Sequence, residues 1–398
     1  MLISIVIPTR DRLDLLADAI ATITPQTGVD WEIAVFDNAS DKPVSEYIDG
    51  LKDSRIRCER SDEFLPVTAS WNRALSMARG DYVTLLGDDD GLAPDYFRKI
   101  ADIVQRFGQP ELIYTGIYQF MHPGVAPWAP EGYVSDLKWA FFFRDQRDPF
   151  LLSQEDARHA VVGSLHLRRN FTYNSQAFCF SRALLSRLGE KAPVYLSPFP
   201  DYYLANVAIA HSRSTVIVPS ALSIAGVSKS SFGFTLFNGL EERGASLLKT
   251  HLEGDPVFLE IENKLLPGPK YNINYVVTME YVARNTREQL NAEVDFDRHR
   301  KVQIVSALQT ADAQSPGGIW SELRPRLSPS EGEWADAIKS LFALKAQGGH
   351  SIITERVLPD ILRRVSSYQF EPIERYCSRG GYSTAVEVYD ALRTGALH

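Results

Sequence analysis

The feature that most constrains this chain is a series of short apolar runs, each closed by polar residues and followed by a stretch with helical spacing. Leu2 to Ile7 is apolar and ends at Pro8-Thr9, after which Leu13, Leu16, Ala17, Ile20 and Ile23 recur three or four residues apart. That spacing predicts a strand, a turn and an amphipathic helix. The pattern returns with Trp31 to Phe36 ending at Asp37-Asn38, a short helix over 44–51, a strand near Ile56 and a helix over 67–78. Gly80-Asp81 then precede the run Tyr82 to Leu86, with a helix over 94–107 and a strand at 112–114 beyond it. Strands alternating with helices predict an α/β fold built on a doubly wound, mostly parallel sheet.

Three consecutive carboxylates, Asp88, Asp89 and Asp90, closely follow the Tyr82–Leu86 run. Gathered at the end of a buried strand they repel one another, and a hard cation relieves that repulsion. Open α/β sheets bind ligands beyond the carboxyl ends of their strands, so the cluster predicts a metal-bound diphosphate there. If strand geometry persisted, Asp88 and Asp90 would share a face, with Asp89 opposite. The competing use is capping of the helix that starts near Pro94, for which Asp90 is best placed. A cap needs one side chain, not three.

With 398 residues, 44% hydrophobic and 23% charged, the chain reads as soluble and globular, with one large domain or two ordinary ones. Its formal charge of −8 argues against a nucleic-acid partner. Cys58, Cys179 and Cys377 are widely spaced, which indicates neither a disulfide framework nor a cysteine zinc site and fits a reducing cytoplasm. The first eight residues lack a basic leader, and no stretch has the length of a membrane span.

Residues 116–156 are rich in aromatic residues and proline, including Trp128, Trp139 and Phe141-Phe142-Phe143, and read as an elaborated loop or lid. Strands at 175–180 and 216–218 flank a helix ended by Gly189. Beyond about Leu240 the periodicity is helical, at 240–252, 271–285, 298–308, 334–344, 352–368 and 383–392. The expected division is therefore an α/β domain over 1–238 and an α-helical region of unassigned role over 239–398.

Four segments carry a family likeness. They are Ile5-Val6-Ile7-Pro8-Thr9-Arg10-Asp11-Arg12, then Val35-Phe36-Asp37-Asn38-Ala39-Ser40, then Asn72 with Ala78-Arg79-Gly80-Asp81-Tyr82-Val83, and Leu86-Gly87-Asp88-Asp89-Asp90-Gly91-Leu92-Ala93-Pro94-Asp95. In this order and spacing they resemble the inverting family 2 glycosyltransferases of the GT-A fold, over roughly residues 1–235. The resemblance implies transfer of a sugar from a UDP- or dTDP-sugar to a glycan, lipid-linked or other hydroxyl acceptor, with Mn or Mg as cofactor. Polysaccharide biosynthesis in the cytoplasm, peripheral association with the inner face of the membrane, and homo-oligomerisation accompany it as expectations.

Carried over residue by residue, the resemblance places Pro8, Thr9, Arg12, Asp37, Asn72, Asp88, Asp89 and Lys229 in the nucleotide-sugar site, and Asp89 and Asp90 at the metal. The register of the triplet is ambiguous, and many relatives carry an acid where Gly87 stands. Asp37 would accept a hydrogen bond from the N–H edge of uracil or thymine, against its use as a turn former beside Asn38. Asp201, in Ser197-Pro198-Phe199-Pro200-Asp201, stands where relatives place the base, with Pro200 in the usual first-acid position. Its other reading is a helix N-cap.

Softer expectations attach to three segments. His166, Arg168 and Arg169 would meet a phosphate or form a solvated loop; Gly226 to Gly233 is a polar loop whose Lys229 would neutralise the leaving diphosphate; and the aromatic run 139–143 would touch an acceptor or belong to the core. No Gly-x-Gly-x-x-Gly follows the first strand, which disfavours a nicotinamide dehydrogenase and a P-loop enzyme alike. The alternatives are a nucleotidyltransferase, which should show a glycine-rich basic loop near the N-terminus, and a non-catalytic nucleotide-sugar-binding scaffold whose helical tail recruits partners.

Overall fold

The computed structural model describes residues 1–126, 129–138, 140–143, 146–238, 240–250, 252–309, 318–346, 358–365, 373–375 and 381–397. Trp128, Trp139, Cys377 and both ends of the expected 352–368 helix lie outside the described residues.

Four parallel strands, β1 (Leu2–Thr9), β2 (Asp30–Asp37), β3 (Ile56–Arg60) and β4 (Tyr82–Leu85), lie side by side in the order β3-β2-β1-β4. Their connections are α1 (Leu13–Ile23), α2 (Ser45–Gly50) and α3 (Val67–Ser76), and α4 (Tyr96–Arg106) follows β4. Ile3, Ile5 and Ile7 share one core with Leu16, Ile20 and Ile23 of α1 and with Phe97 and Ile100 of α4. Side chains alternate across a strand, so Ser4 points the other way, toward the side on which α3 lies against β1 and β2. There Ser4 Oγ accepts the N–H groups of Arg79 and Gly80. Helices on both faces make the domain doubly wound, as the alternation predicts.

The remaining strands are β5 (Gly91–Leu92), β6 (Leu112–Met121), β7 (Tyr133–Lys138), β8 (Phe150–Leu151), β9 (Phe178–Ser181), β10 (Thr215–Val227) and β11 (Ile373–Arg375). β9 runs antiparallel to both β4 and β6, whereas β10 runs parallel to β6. The sheet is thus parallel where it carries the acidic motif and mixed beyond it. Two expectations change here. The 112–114 strand continues to Met121 and turns back as β7, so 116–138 is largely sheet rather than lid. The 216–218 strand continues to Val227 after register shifts between Val218 and Ser223. Gly116 hides this from sequence inspection: a Cβ there would lie 3.1 Å from Ala221 N and Pro219 O, so the residue that breaks the apolar pattern is the one that lets the bulged strand pass.

Phe142 and Phe143 are buried against Tyr114, whose ring stacks on Phe143 at 5.4 Å, so this part of the aromatic run is core. The C-terminal helix Ala385–Thr394 returns to the sheet domain, packing on α1, and its Val388 and Tyr389 share a cluster with Phe120, Val134 and Ile224.

The compact units consequently do not follow a single boundary at 238. One contains 1–158, 171–251 and 372–398, and the other 159–170 and 252–371. The second unit is helical, with Lys270–Asn285, Phe296–Gln309 and Pro329–Ala346 as its longest helices and Leu266, Ile304, Ala307, Leu323 and Ala335 in its core.

Candidate active site

The strand β4 ends at Leu85, and the acidic residues that follow form a turn rather than extended chain, with Asp90 N donating to Gly87 O at 3.2 Å. The strand-like alternation considered above therefore does not persist. All three aspartates are buried: Asp88 is 0%, Asp89 8% and Asp90 5% exposed.

Each carboxylate has different partners. Asp88 Oδ2 accepts Thr9 Oγ1 at 2.7 Å, and its Oδ1 lies 2.9 Å from the Arg12 guanidinium without an aligned hydrogen bond. Asp90 accepts Gly87 N–H and Gly226 N–H at 2.8 Å each, and the Gln176 amide at 3.2 Å. It does not cap α4, whose N-cap residue is Asp95, itself without a side-chain cap bond. Asp89 Oδ2 accepts Ser228 Oγ at 3.0 Å and stands 3.9 Å from Arg12, while its Oδ1 accepts no hydrogen bond among the described residues.

Burial pushes the Asp88 carboxyl up to about 6 even with Arg12 beside it. Burial and the charge of Asp89 together hold Asp90 well above the ordinary range. Burial disfavours the Arg12 cation, but the pull of Asp88, Asp89 and Asp90 outweighs it and raises Arg12. Arg12, Thr9 and the N–H groups of Gly87, Gly226 and Gln176 thus relieve part of the repulsion that the sequence assigns to a metal alone.

No group of three His, Cys, Asp or Glu side chains among the described residues forms a ready cation cage. A single carboxylate with one open oxygen suits a magnesium- or manganese-type ion, which takes one or two protein carboxylates and completes its shell with phosphate oxygens and water. Asp89 offers that open oxygen, whereas both Asp90 oxygens already accept hydrogen bonds.

The other expected site residues divide. Thr9 and Arg12 join the triplet directly, and Pro8 is buried beside them in β1. Asp37, fully buried at the end of β2, holds its own loop: Oδ1 accepts Ser40 N at 2.8 Å, and Oδ2 takes Val44 N at 3.3 Å and Arg60 at 2.6 Å. Asn72 clamps Tyr195, donating to its carbonyl at 2.7 Å and accepting its N–H at 3.0 Å.

Lys229 is exposed, and its ammonium approaches Gly124 rather than the aspartates; among the described residues it makes no ion pair with them. Asp201 lies half-buried in the first turn of the helix Pro200–His211. The N-cap is Phe199, so Asp201 is not the cap. Its charge reaches Tyr195, whose hydroxyl, raised chiefly by burial, hydrogen-bonds Ser175. His166, Arg168 and Arg169 belong to the second unit.

Three further residues meet the triplet. Gly226 and Ser228 belong to the 226–233 loop expected near the donor, where Lys229 was the residue singled out, whereas Gln176 stood unremarked in the expected 175–180 strand. Gly226 is required because a Cβ there would fall 1.7 Å from the Asp89 carbonyl oxygen, so only glycine lets β10 cross the acidic turn.

Residues 4–158 match the family model described as Glycosyl transferase family 2. The chain is 33% identical over 96 residues to a putative colanic acid biosynthesis glycosyl transferase of Escherichia coli K12, covering 24% of this chain and 34% of that protein. It is 30% identical over 89 residues to an Escherichia coli UDP-Glc:alpha-D-GlcNAc-diphosphoundecaprenol beta-1,3-glucosyltransferase, covering 22% of this chain and 36% of that one. The chain thus spans about a third of the length of these curated relatives. Among solved structures, S. aureus TarS 1-349 in complex with UDP-GlcNAc aligns over 92% of this chain and 93% of its own, at 11% identity and a TM-score of 0.46, too distant to locate a ligand.

Proposed function

We propose that this protein is an inverting glycosyltransferase, dependent on Mn or Mg, that moves a sugar from a UDP- or dTDP-sugar to a hydroxyl of a glycan or lipid-linked acceptor. The observation that carries the proposal is the buried aspartate turn beyond β4, where Asp89 turns Oδ2 to Ser228 and Arg12 and keeps Oδ1 open. The family-model match over residues 4–158 and the names of the relatives, which include a UDP-Glc:alpha-D-GlcNAc-diphosphoundecaprenol beta-1,3-glucosyltransferase, support the same reading.

In this scheme Asp89 would hold the cation, which when bound supplies positive charge to the departing diphosphate. Arg12, already drawn to Asp88, brings a fixed positive charge to the same place. Thr9 and Arg12 keep Asp88 in position, and the two glycine N–H groups and Gln176 do so for Asp90. Asp201 would take the proton of the attacking acceptor hydroxyl, on the face opposite the leaving group. A lipid-linked acceptor would be met by peripheral association at the inner face; no described helix is long and apolar enough to cross a membrane.

Calorimetry tests the scheme. UDP or dTDP should bind with manganese present and much more weakly in EDTA, with Asp89→Ala losing the metal-dependent part. Equal affinity under the two conditions would remove the metal, and donor hydrolysis that never exceeds the uncatalysed rate would remove the transferase.

A further inference from the structure

We infer that Gln176 is a sugar-contacting residue of this site, an inference that rests on the glycosyltransferase reading above. Gln176 sits in the helical turn Ser175–Ala177 that leads into β9 and packs against β4, β6 and β10. Its residue surface is 6% exposed. The amide donates Nε2–H to Asp90 Oδ1 at 3.2 Å. Asp90 also accepts two backbone N–H groups, so it acts here as an acceptor, and the Gln176 amide can present only its nitrogen to it. That fixes the opposite end of the amide. Oε1 has no hydrogen-bond partner among the described residues, yet it is not sealed from solvent.

An oriented acceptor beside the acidic turn, held on a buried side chain, suits a neutral donor such as a sugar hydroxyl. A phosphate, which offers only acceptors, would gain nothing from it. The neighbouring residue makes the location more specific. Ser175 and the charge of Asp201 both act on the Tyr195 hydroxyl, so the turn that carries Gln176 is linked to the donor motif through Asp90 and to the neighbourhood of the proposed base through Tyr195. The transferred sugar is the part of the substrate that has to lie between those two groups.

The test compares nucleotides with sugar nucleotides in wild type and Gln176→Met, which keeps side-chain length and removes the amide. With manganese present, calorimetry is run with UDP, dTDP, UDP-glucose, UDP-galactose, UDP-N-acetylglucosamine and dTDP-glucose. The expected result is that Gln176→Met binds UDP or dTDP as wild type does, and binds the preferred sugar nucleotide about 3- to 10-fold more weakly, the effect of one neutral hydrogen bond. If Gln176→Met does not fold, Gln176→Asn, one methylene shorter, should show the same split. Equal losses for nucleotide and sugar nucleotide would mean that Gln176 acts only through Asp90, and no loss for either would remove it from the site; both overturn the inference. A wild type that binds neither nucleotides nor sugar nucleotides defeats the glycosyltransferase reading itself, a failure distinguishable from the others.

Discussion

The Arg12 guanidinium lies 2.9 Å from the fully buried carboxylate of Asp88, so β1 and β4 meet at their carboxyl ends through opposite charges. Breaking a buried pair from one side leaves the other charge uncompensated. Arg12→Ala should therefore destabilise the protein by about 2–4 kcal/mol, with Arg12→Lys recovering part of the loss. Urea unfolding measures this. An Arg12→Ala protein as stable as wild type would show that protons on the acidic turn suffice to neutralise it.

Asp37 should behave as a structural residue. Burial alone would raise its carboxyl, but Ser40, Arg60 and Val44 outweigh that and hold it below the ordinary range. A folded-state value below the unfolded one of about 4 adds stability that is present above that pH and disappears as pH falls through the lower, folded value. Asp37→Ala should cost roughly 2–4 kcal/mol at neutral pH, and its deficit should shrink in acid. Thermal melts across pH decide. A variant that melts like wild type while binding UDP poorly would return Asp37 to the base pocket.

Asp201→Asn should lower sugar transfer by about two to four orders of magnitude with nucleotide affinity nearly intact. Helix capping no longer competes as an explanation, because Phe199 occupies the N-cap. Near-normal transfer by Asp201→Asn would send the search for the base to other acids.

Within the helical unit, Arg300 grips Glu331 through two contacts, at 2.6 and 2.9 Å, and draws its carboxyl down to about 2. The pair should stabilise the unit above the unfolded glutamate value near 4.3, and that contribution should vanish as pH falls toward 2. Glu331→Gln should melt lower than wild type at pH about 7 and equally near pH 2. A constant difference across this range would show that the pair contributes by shape rather than by charge.

By itself the sequence determined the strand and helix order through α4, the α/β class, the family likeness of the N-terminal stretch, and the position of three carboxylates just past a buried strand. These are local signals: a period of two or of 3.6 residues and a turn residue at its end act over a few positions. Tertiary structure decided what each carboxylate does. Gln176 and Gly226 reach Asp90 from 86 and 136 residues away, and Ser228 reaches Asp89 from 139, separations at which no local pattern carries information. The same holds for Asn72 and Tyr195, 123 residues apart, which pair through the Asn72 amide and the Tyr195 backbone. The extension of β10 past Pro219 and the return of the C-terminal helix to α1 likewise depend on surfaces that exist only once the sheet has formed. Residue chemistry selected the candidates, and only their partners in space, which consume or leave open individual donors and acceptors, decided which of them face a ligand.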